Sequence, residues 1–405
     1  MTTYIIIGDG VASNAAAESI RKQDKSGKII IFSQEKYPFY YVPALPEFLA
    51  GEKEIQGLII HGLDWYEKNQ IDLHLETKIA GIDLPQKSVI TAKGERYQYD
   101  KLLLATGGTS FVPPIKGAEL EDVFTLRTLG DAQKIRKFVQ TSRRAVLIGG
   151  GLLGLEAGNG LRKAGLDITV VEFFPRLLPR QMDVPGAAML QRQMEGMGFT
   201  FYLGAKTREI WRDAGGLHVD LEGGESLGAD LVLISAGVRP ELTLAKSMGL
   251  EIDKGLKVDD QMQTGVDEIY AAGDLIEHRE RFYGLWPAAM EQGKVAGAAM
   301  AGQEVKYLGT AVSNTLKVVG IDLFAAGEID ADGTMESMVR KDEARNTYRK
   351  LVIKENVLVG AILLGDIRGS AEIQQAIKKG ITITAIKEDL AQENFDFKRL
   401  NQIPA

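Results

Sequence analysis

The chain has 405 residues, a formal net charge of −7 and no cysteine. This length allows two or three domains, each with its own hydrophobic core. The acidic balance argues against a nucleic-acid-binding surface and gives no reason to expect an anionic membrane as partner. Because there is no cysteine, disulfides, thiolate nucleophiles, zinc–thiolate sites and cysteine-ligated iron–sulfur clusters are excluded. We therefore expect any redox chemistry to belong to bound organic cofactors.

Membrane and metal sites are not indicated either. No apolar run approaches the roughly twenty residues that a membrane-spanning helix needs. An apolar strand begins within four residues of the N-terminus, which leaves no room for a signal peptide, and we expect a cytoplasmic protein. The histidines lack ligand spacing, so we expect no metal site. They are His61, His74, His218 and His278.

The first predicted unit is an apolar strand over residues 4–7, followed by a glycine-rich turn and a helix over residues 14–23. In a dinucleotide-binding turn, the first glycine makes the tight turn and the second lets backbone N–H groups approach a pyrophosphate. A small third residue lets helix and strand pack closely. Gly8, Gly10 and Ser13 occupy these positions, and we predict that the turn binds a dinucleotide.

A carboxylate follows the next predicted strand, residues 28–32. Gln34 and Glu35 come after this strand, where a carboxylate can accept both hydroxyls of an adenosine ribose. The alternative for Glu35 is an exposed turn residue. Residues 37–46 contain three prolines, so we predict an ordered loop with an aromatic wall rather than a helix or a central strand.

A second unit of the same design begins with an apolar strand over residues 145–148. The strand runs into Gly149, Gly151 and Gly154, and a helix is predicted over residues 152–164. One such turn is weak evidence for a dinucleotide. Two of them, each about twenty-five residues before a carboxylate, are much stronger evidence.

Glu172 ends the strand predicted over residues 168–171. An acidic residue here accepts a hydrogen bond from a ribose 2′-hydroxyl and repels a 2′-phosphate, which favours NADH over NADPH. Arg176 lies close enough in sequence to leave the strictness of this preference open.

Three further apolar strands end in a glycine turn, where backbone can approach a ligand closely. They are residues 101–105 with Thr106 and Gly107, residues 231–235 with Gly237, and residues 269–272 with Gly273 and Asp274. Trp286 and Pro287 then open a helix of small residues that begins at Ala288 and is predicted to end at residue 301. Proline suits the first turn, and the free N–H groups there can stabilise an anion such as a reduced flavin. The alternative is that small residues only allow close packing.

From about residue 307, alternating apolar and polar residues predict an antiparallel sheet with strands over 314–319, 348–353 and 357–364. A helix is predicted over residues 370–379. A basic run within this region is interpreted as a solvated face, the alternative being a docking patch for an acidic partner. Its residues are Arg340, Lys341, Arg345, Arg349, Lys350 and Lys354.

In this order, the motifs resemble those of the FAD-dependent pyridine nucleotide-disulfide oxidoreductase superfamily over the first 300 residues. Besides the two glycine-rich turns, they are Ala105-Thr106-Gly107, Gly154-Leu155-Glu156, Gly237-x-Arg239-Pro240 and Ala272-Gly273-Asp274. The stretches 313–322 and 358–366 resemble NADH:rubredoxin reductases and the flavin domain of assimilatory nitrite reductases.

The resemblance implies an α/β fold with two Rossmann-like, glutathione-reductase-like domains and a C-terminal α+β interface domain. The FAD-binding domain would be split over residues 1–112 and 241–305, with the NAD-binding domain, residues 113–240, inserted into it. Residues 306–405 would form the third domain.

The resemblance also implies the cofactors, FAD on the first turn and NADH on the second. Glu35 would bind the FAD ribose, Asp274 the ribityl chain, and Glu156 would lie near the nicotinamide as the catalytic residue. The positions expected to contact a cofactor are Gly8, Gly10, Val11, Ala12, Ser13, Gln34, Glu35, Pro43, Ala105, Thr106, Gly107, Gly149, Gly151, Leu153, Gly154, Glu172, Gly237, Gly273, Asp274, Trp286 and Ala288.

Besides Ser13, which replaces the third glycine of the first turn, the chain departs from the superfamily at three places. Val42 and Glu47 stand where the ferredoxin-reductase branch has an arginine and a lysine, and Pro43 stands where another branch has its redox cysteine. Disulfide reduction through a cysteine relay is therefore excluded.

These observations predict an FAD-dependent NADH oxidoreductase that passes electrons to a small carrier protein such as rubredoxin. One alternative is an NADH oxidase or diaphorase that uses oxygen or a small acceptor. Another is a dinucleotide-binding redox sensor or scaffold subunit. The physiological acceptor and the oligomeric state are not encoded in any motif.

Overall fold

The computed structural model describes residues 1–310, 313–392 and 394–403. Its first sheet is parallel and has the strand order β19-β7-β1-β2-β3. The strands are β1 (Thr3–Ile7), β2 (Lys28–Phe32), β3 (Ile71–His74), β7 (Lys101–Leu104) and β19 (Ile269–Ala271). Because β19 comes from a distant part of the sequence, one sheet joins the two segments predicted to form the split domain.

The first sheet is flanked by small elements. Two are sheets, the antiparallel β4 (Ile79–Asp83), β5 (Ser88–Thr91) and β6 (Arg96–Gln98), and the parallel pair β18 (Leu256–Val258) and β20 (Ile276–His278). The helices are α1 (Val11–Gln23), α3 (Leu63–Lys68), α7 (Thr243–Ser247) and α8 (Trp286–Met300), whereas α2 (Leu45–Leu49) packs into the hydrophobic core of the second region.

The second large sheet is also parallel and has the order β12-β11-β10-β16-β9. Its strands are β9 (Val123–Phe124), β10 (Arg144–Ile148), β11 (Asp167–Glu172), β12 (Phe199–Leu203) and β16 (Leu231–Ile234). Its helices are α4 (Leu129–Val139), α5 (Leu152–Lys163) and α6 (Val184–Gly196). An antiparallel sheet of β13 (Thr207–Asp213), β14 (Gly216–Leu221) and β15 (Ser226–Ala229) lies beside it.

The chain passes between the two large sheets twice, once in each direction. At this crossing β8 (Gly108–Ser110) pairs antiparallel with β17 (Val238–Pro240). The two connections are thereby hydrogen-bonded to each other.

The third region is an antiparallel sheet with the order β21-β22-β25-β24-β23. Its strands are β21 (Ser313–Val318), β22 (Ile321–Gly327), β23 (Glu336–Asp342), β24 (Thr347–Lys354) and β25 (Val357–Leu364), followed by α9 (Ser370–Lys379) and α10 (Lys387–Leu390). Val318, Tyr348 and Leu364 of this sheet share a hydrophobic core with Leu177 and Leu190 of the second region. The third region is therefore packed onto the second.

The predicted fold class is confirmed, with two parallel sheets and a C-terminal α+β region, and the residue boundaries of the domains stay predictions. The prediction of a loop over residues 37–46 is wrong at its end, because α2 begins at Leu45. Pro46 lies in the first turn of that helix, where its missing N–H breaks no hydrogen bond. Among the described residues, no helix is long and apolar enough to cross a membrane.

Candidate functional site

The turn between β1 and α1 has the geometry of a dinucleotide-binding turn. Gly8 has φ +111°, and a Cβ atom there would lie 2.2 Å from the carbonyl oxygen of Ala105. Gly10 is the N-cap of α1 without a side-chain cap, and a Cβ atom there would meet no protein atom within 4 Å. The first N–H groups of α1 thus face open space, which fits a diphosphate.

The turn between β10 and α5 repeats this geometry. Gly149 has φ +120°, and a Cβ atom there would lie 2.3 Å from the carbonyl oxygen of Ser235. Gly151 is the N-cap of α5, again without a side-chain cap and with open space beside its Cα. The same fit to a diphosphate therefore exists at both sheets.

The third position differs between the turns. Ser13 replaces glycine in the first turn, and its hydroxyl is buried without a hydrogen-bond partner. Close packing against α1 is provided instead by α8. A Cβ atom at Gly293 or Gly297 would lie 2.2 Å from a backbone oxygen of α1. The small residues predicted to open and line α8 therefore serve helix packing along its length.

Glu172 lies directly on the second turn. Its buried carboxylate accepts hydrogen bonds from the backbone N–H groups of Gly150 and Phe174, the second at 2.8 Å. Arg176 donates to the backbone oxygens of Met182 (3.1 Å) and Pro179 (3.2 Å). Because the Arg176 guanidinium bonds its own loop, the side-chain charge next to this turn is that of Glu172, and the ribose role of Glu172 and the preference for NADH stay predictions.

Glu35 occupies a different place relative to the first turn. Gly8 donates to the backbone oxygen of Phe32 and Gly149 to that of Val171, each at 2.8 Å, so the residue in the position equivalent to Glu172 is Ser33. The Glu35 carboxylate accepts from Tyr40 at 2.6 Å. Burial raises the pKa of Glu35. The ribose role of Glu35 stays a prediction, because Glu35 lies two residues beyond the position equivalent to Glu172.

Gly273 and Asp274 are brought next to the first turn. A Cβ atom at Gly273 would lie 3.3 Å from the Ala12 side chain of α1. Asp274 forms an ion pair with Arg127 at 2.6 Å. Arg127 was not predicted, because it lies in the connection before α4 and belongs to no motif. It is an additional candidate contact for the cofactor of the first domain.

Trp286 lies at the start of α8 within an aromatic group. Its ring stacks on Phe39 at 5.7 Å and meets Tyr41 edge-on at 5.1 Å. Both partners come from the segment predicted to form an aromatic wall. The N-terminus of α8 has no side-chain cap, so its N–H groups are available for an anionic ring edge, as predicted for the flavin.

Glu156 lies on α5, where all three regions meet. Its carboxylate accepts a hydrogen bond at 2.7 Å from the backbone N–H of Val319, in the turn between β21 and β22. Burial raises the pKa of Glu156, and nearby Glu47 adds to this effect. Gly160 of the same helix packs on α2, since a Cβ atom there would lie 2.4 Å from the Pro46 oxygen.

Glu47, at one of the three departures, forms an ion pair with Lys53 at 2.6 Å. The remaining predicted positions lie on the same turns and helix starts. They are Val11 in the first turn of α1, Gln34 after β2, Pro43 before α2, Ala105, Thr106 and Gly107 after β7, Leu153 and Gly154 in the first turn of α5, Gly237 after β16, and Ala288 in the first turn of α8.

Two lysines of the basic run form ion pairs inside the protein, one of them with partners from both the second and the third region. Lys350 is buried, 3.2 Å from a carboxylate oxygen of Asp330 and 3.4 Å from one of Asp183. Lys341 pairs with Glu343 at 2.6 Å. The interpretation of the run as a solvated face is therefore wrong for Lys350, which is buried, and for the other residues of the run it stays a prediction.

Comparison with known proteins identifies the family. The family profile of pyridine nucleotide-disulphide oxidoreductases matches residues 2–293, and that of the rubredoxin NAD+ reductase C-terminal domain matches residues 313–381. The chain belongs to the pyridine nucleotide-disulphide oxidoreductase family. The predicted superfamily, its FAD and NAD cofactor pair and the class of FAD-dependent NAD(P)H oxidoreductases are thus confirmed at the level of the family.

Relatives within this family differ in length. Nitrite reductase [NAD(P)H] of Bacillus subtilis (strain 168) is 36% identical over 96% of this chain and 49% of its own length. NADH-rubredoxin oxidoreductase of Clostridium acetobutylicum is 30% identical over 93% of this chain and 94% of its own. The crystal structure of the Clostridium acetobutylicum NADH:rubredoxin oxidoreductase has a TM-score of 0.83 at 28% identity, covering 99% of this chain and 100% of that chain. The chain spans about half the length of the nitrite and nitrate reductase relatives.

Proposed function

We propose that this chain is an NADH-dependent flavoprotein reductase that passes electrons singly to a small carrier protein such as rubredoxin. The observation that carries the proposal is the pair of open, uncapped glycine turns in one chain that contains no cysteine. This chain and an NADH-rubredoxin oxidoreductase match over nearly the full length of both proteins, which supports the same activity.

Within this proposal, the flavin supplies the redox chemistry when bound, taking a hydride from NADH and releasing electrons one at a time. The residues supply position and charge. Glu172 would hold the adenosine ribose of NADH. Glu156, fixed by the Val319 N–H, would orient the nicotinamide, and the start of α8 would stabilise negative charge on the ring system.

Anaerobic stopped-flow mixing with NADH tests the first half of the proposal. We expect the flavin absorbance to bleach, and no bleaching at millimolar NADH would contradict the proposal. The variant Gly151→Ala tests the NADH site specifically, because a Cβ atom there meets no protein atom and fills only the space offered to NADH. We expect this variant to retain FAD and to bleach much more slowly.

The acceptor is tested separately. NADH oxidase of Methanocaldococcus jannaschii is 34% identical over 80% of this chain, which supports oxygen as the second candidate acceptor. We expect NADH turnover to rise strongly when rubredoxin is added, with little oxygen consumed. Oxygen consumption that is rapid and unchanged by rubredoxin would favour the oxidase. Tight FAD binding without turnover on any acceptor would favour a redox-sensing or scaffold subunit.

A further inference from the structure

We infer that Asp9 couples FAD binding to a proton: the first glycine turn binds FAD while the Asp9 carboxyl is protonated, and ionisation of Asp9 weakens binding. The inference rests on the proposed function in one respect, that FAD is the ligand of this turn. No motif assigns a role to the residue between Gly8 and Gly10, and the second turn has glycine, Gly150, at the same place.

The Asp9 side chain, which is partly exposed, joins a small hydrogen-bond cluster whose other members, Asn14 and Tyr66, are buried. Its Oδ1 accepts from Asn14 Nδ2 at 2.8 Å and lies 2.9 Å from the Tyr66 hydroxyl oxygen. Its Oδ2 lies 3.1 Å from the same hydroxyl. Among the described residues, no lysine or arginine forms an ion pair with the Asp9 carboxyl.

Counting protons in the cluster favours a neutral carboxyl. The Tyr66 hydroxyl oxygen also lies 3.0 Å from Asn14 Oδ1. The Asn14 amide orientation is fixed, because Nδ2 also donates to the backbone oxygen of Gly10 at 3.1 Å. Tyr66 therefore faces three acceptor oxygens with a single proton. A proton on Asp9 can be donated to Tyr66, which leaves the Tyr66 proton for Asn14.

The charged and titratable groups around Asp9 do not favour its ionisation. Glu35, after β2, is a second carboxylate whose charge raises the pKa of Asp9. His61 contacts Asn14 Oδ1 through Nδ1 at 3.0 Å, and burial lowers the pKa of His61, so it stays neutral at pH 7. Tyr66 on α3 is neutral as well, because burial raises its pKa.

A diphosphate on this turn would add negative charge beside the same carboxyl. Asp9 belongs to the turn whose N–H groups face the diphosphate site, so an ionised Asp9 opposes the attraction of the α1 N-terminus for the ligand. This coupling is reciprocal. If ionisation of Asp9 weakens FAD binding, bound FAD must strengthen the binding of the proton to Asp9 by the same factor.

The pKa of Asp9 places this coupling in a pH range in which FAD binding can be measured. Burial raises it to about 7, against opposing hydrogen bonds from Asn14 and Tyr66. A single titrating group changes affinity by at most tenfold for each pH unit above its pKa, so the FAD dissociation constant should rise by up to about 30-fold between pH 6 and pH 8.5.

The experiment uses the full chain, stripped of FAD and titrated with FAD by fluorescence at pH 6.0, 7.0 and 8.5. Calorimetry in buffers of different ionisation enthalpy then counts protons. We expect uptake of about half a proton per FAD at pH 7 and more at pH 8. This proton count needs no variant, so it tests the inference even where substitutions disturb folding.

Two variants assign the proton. Asp9→Asn should bind FAD at pH 8.5 as tightly as at pH 6 and take up no proton. Asp64→Asn is the control, an exposed carboxyl on α3 whose removal should leave the pH dependence in place. Binding that is independent of pH, or a dependence unchanged in Asp9→Asn, would overturn the inference. Absence of FAD binding at every pH would instead contradict the proposed function.

Discussion

The turns after β1 and β10 place their first glycines alike, with φ +111° at Gly8 and +120° at Gly149. The N–H groups of these glycines donate to the backbone oxygens of Phe32 and Val171 on the neighbouring strands, each at 2.8 Å. The side chains around them differ. In the second turn a carboxylate arrives from β11 and bonds the backbone of Gly150. In the first turn the carboxyl sits within the turn itself, on Asp9.

The same glycine-turn backbone therefore carries two different electrostatic environments in this protein. In the second turn the charge comes from a neighbouring strand, on Glu172, whose carboxylate accepts a hydrogen bond from the Gly150 N–H, and the ribose role of Glu172 stays a prediction. The first turn carries a titratable group beside the diphosphate site, and its third residue is Ser13 rather than glycine. The two sites therefore should respond differently to pH and to substitution.

The largest effects should come from filling the open space at each turn. We expect Gly10→Ala to lose FAD, and Gly151→Ala to keep FAD while kcat/KM for NADH falls about 100-fold, close to 3 kcal/mol. Neither Cβ atom meets protein, so thermal unfolding of the FAD-free chain should change little. Gly196→Ala, in α6 with equally open surroundings, is the control. Normal binding in both variants would show that the turns are not the cofactor sites.

A second effect should separate the turns by pH. Between about pH 4 and pH 7 the folded FAD-free chain holds a proton on Asp9 that the unfolded chain has released, so stability falls as pH rises through this window. Above about pH 8 the loss is complete. Asp9→Asn should therefore raise the free energy of unfolding by about 4 kcal/mol at pH 8 and by little at pH 4.

Urea unfolding of the FAD-free chain at the two pH values measures this difference. Asp64→Asn, on the exposed face of α3, is the control and should show no such pH dependence. Equal stabilisation of Asp9→Asn at both pH values would contradict the assignment of a protonated Asp9.

At the second turn, Glu172→Gln should raise KM for NADH about tenfold with kcat nearly unchanged, because the ribose contact contributes binding but no chemistry. NADPH should not become a good donor, since Arg176 is held by two backbone oxygens of its own loop. Steady-state kinetics with both donors measures this. A large gain with NADPH would show that Arg176 can turn toward a 2′-phosphate.

The smallest effect concerns the third position of the first turn. The Ser13 hydroxyl is buried without a partner, so Ser13→Ala should stabilise the FAD-free chain by about 1 kcal/mol. Ser19→Ala is the matched control on the same helix, because the Ser19 hydroxyl donates to the Lys294 oxygen at 2.9 Å. Weaker FAD binding in Ser13→Ala would instead show that this hydroxyl contacts the cofactor, as predicted.

The sequence predicted what depends on local pattern. Both glycine turns, β2, α9 and the start of α8 follow from apolar runs, glycine spacing and the first-turn Pro287, all of which are local signals. The contacts between regions could not be predicted in this way. The Val319 N–H reaches Glu156, and Arg127 reaches Asp274, across 163 and 147 residues of sequence.

The alignment between neighbouring strands was the second feature that could not be predicted from the sequence. Spacing predicted a carboxylate about twenty-five residues after each turn, and Glu35 and Glu172 satisfied it equally. The strand pairings, β1 with β2 and β10 with β11, show that Ser33 and not Glu35 occupies the position equivalent to Glu172. The Asp9 cluster was hidden for a similar reason, because Tyr66 comes from α3 and contributes no motif.

An anaerobic titration of the purified flavoprotein tests the proposed electron path most directly. NADH is added until the flavin is bleached, and oxidised rubredoxin is then added until the colour returns. We expect one equivalent of NADH to bleach the flavin, since no cysteine pair takes further electrons, and two equivalents of rubredoxin to restore it. A flavin that NADH does not bleach, or that oxygen restores but rubredoxin does not, would contradict a reductase that serves a one-electron carrier.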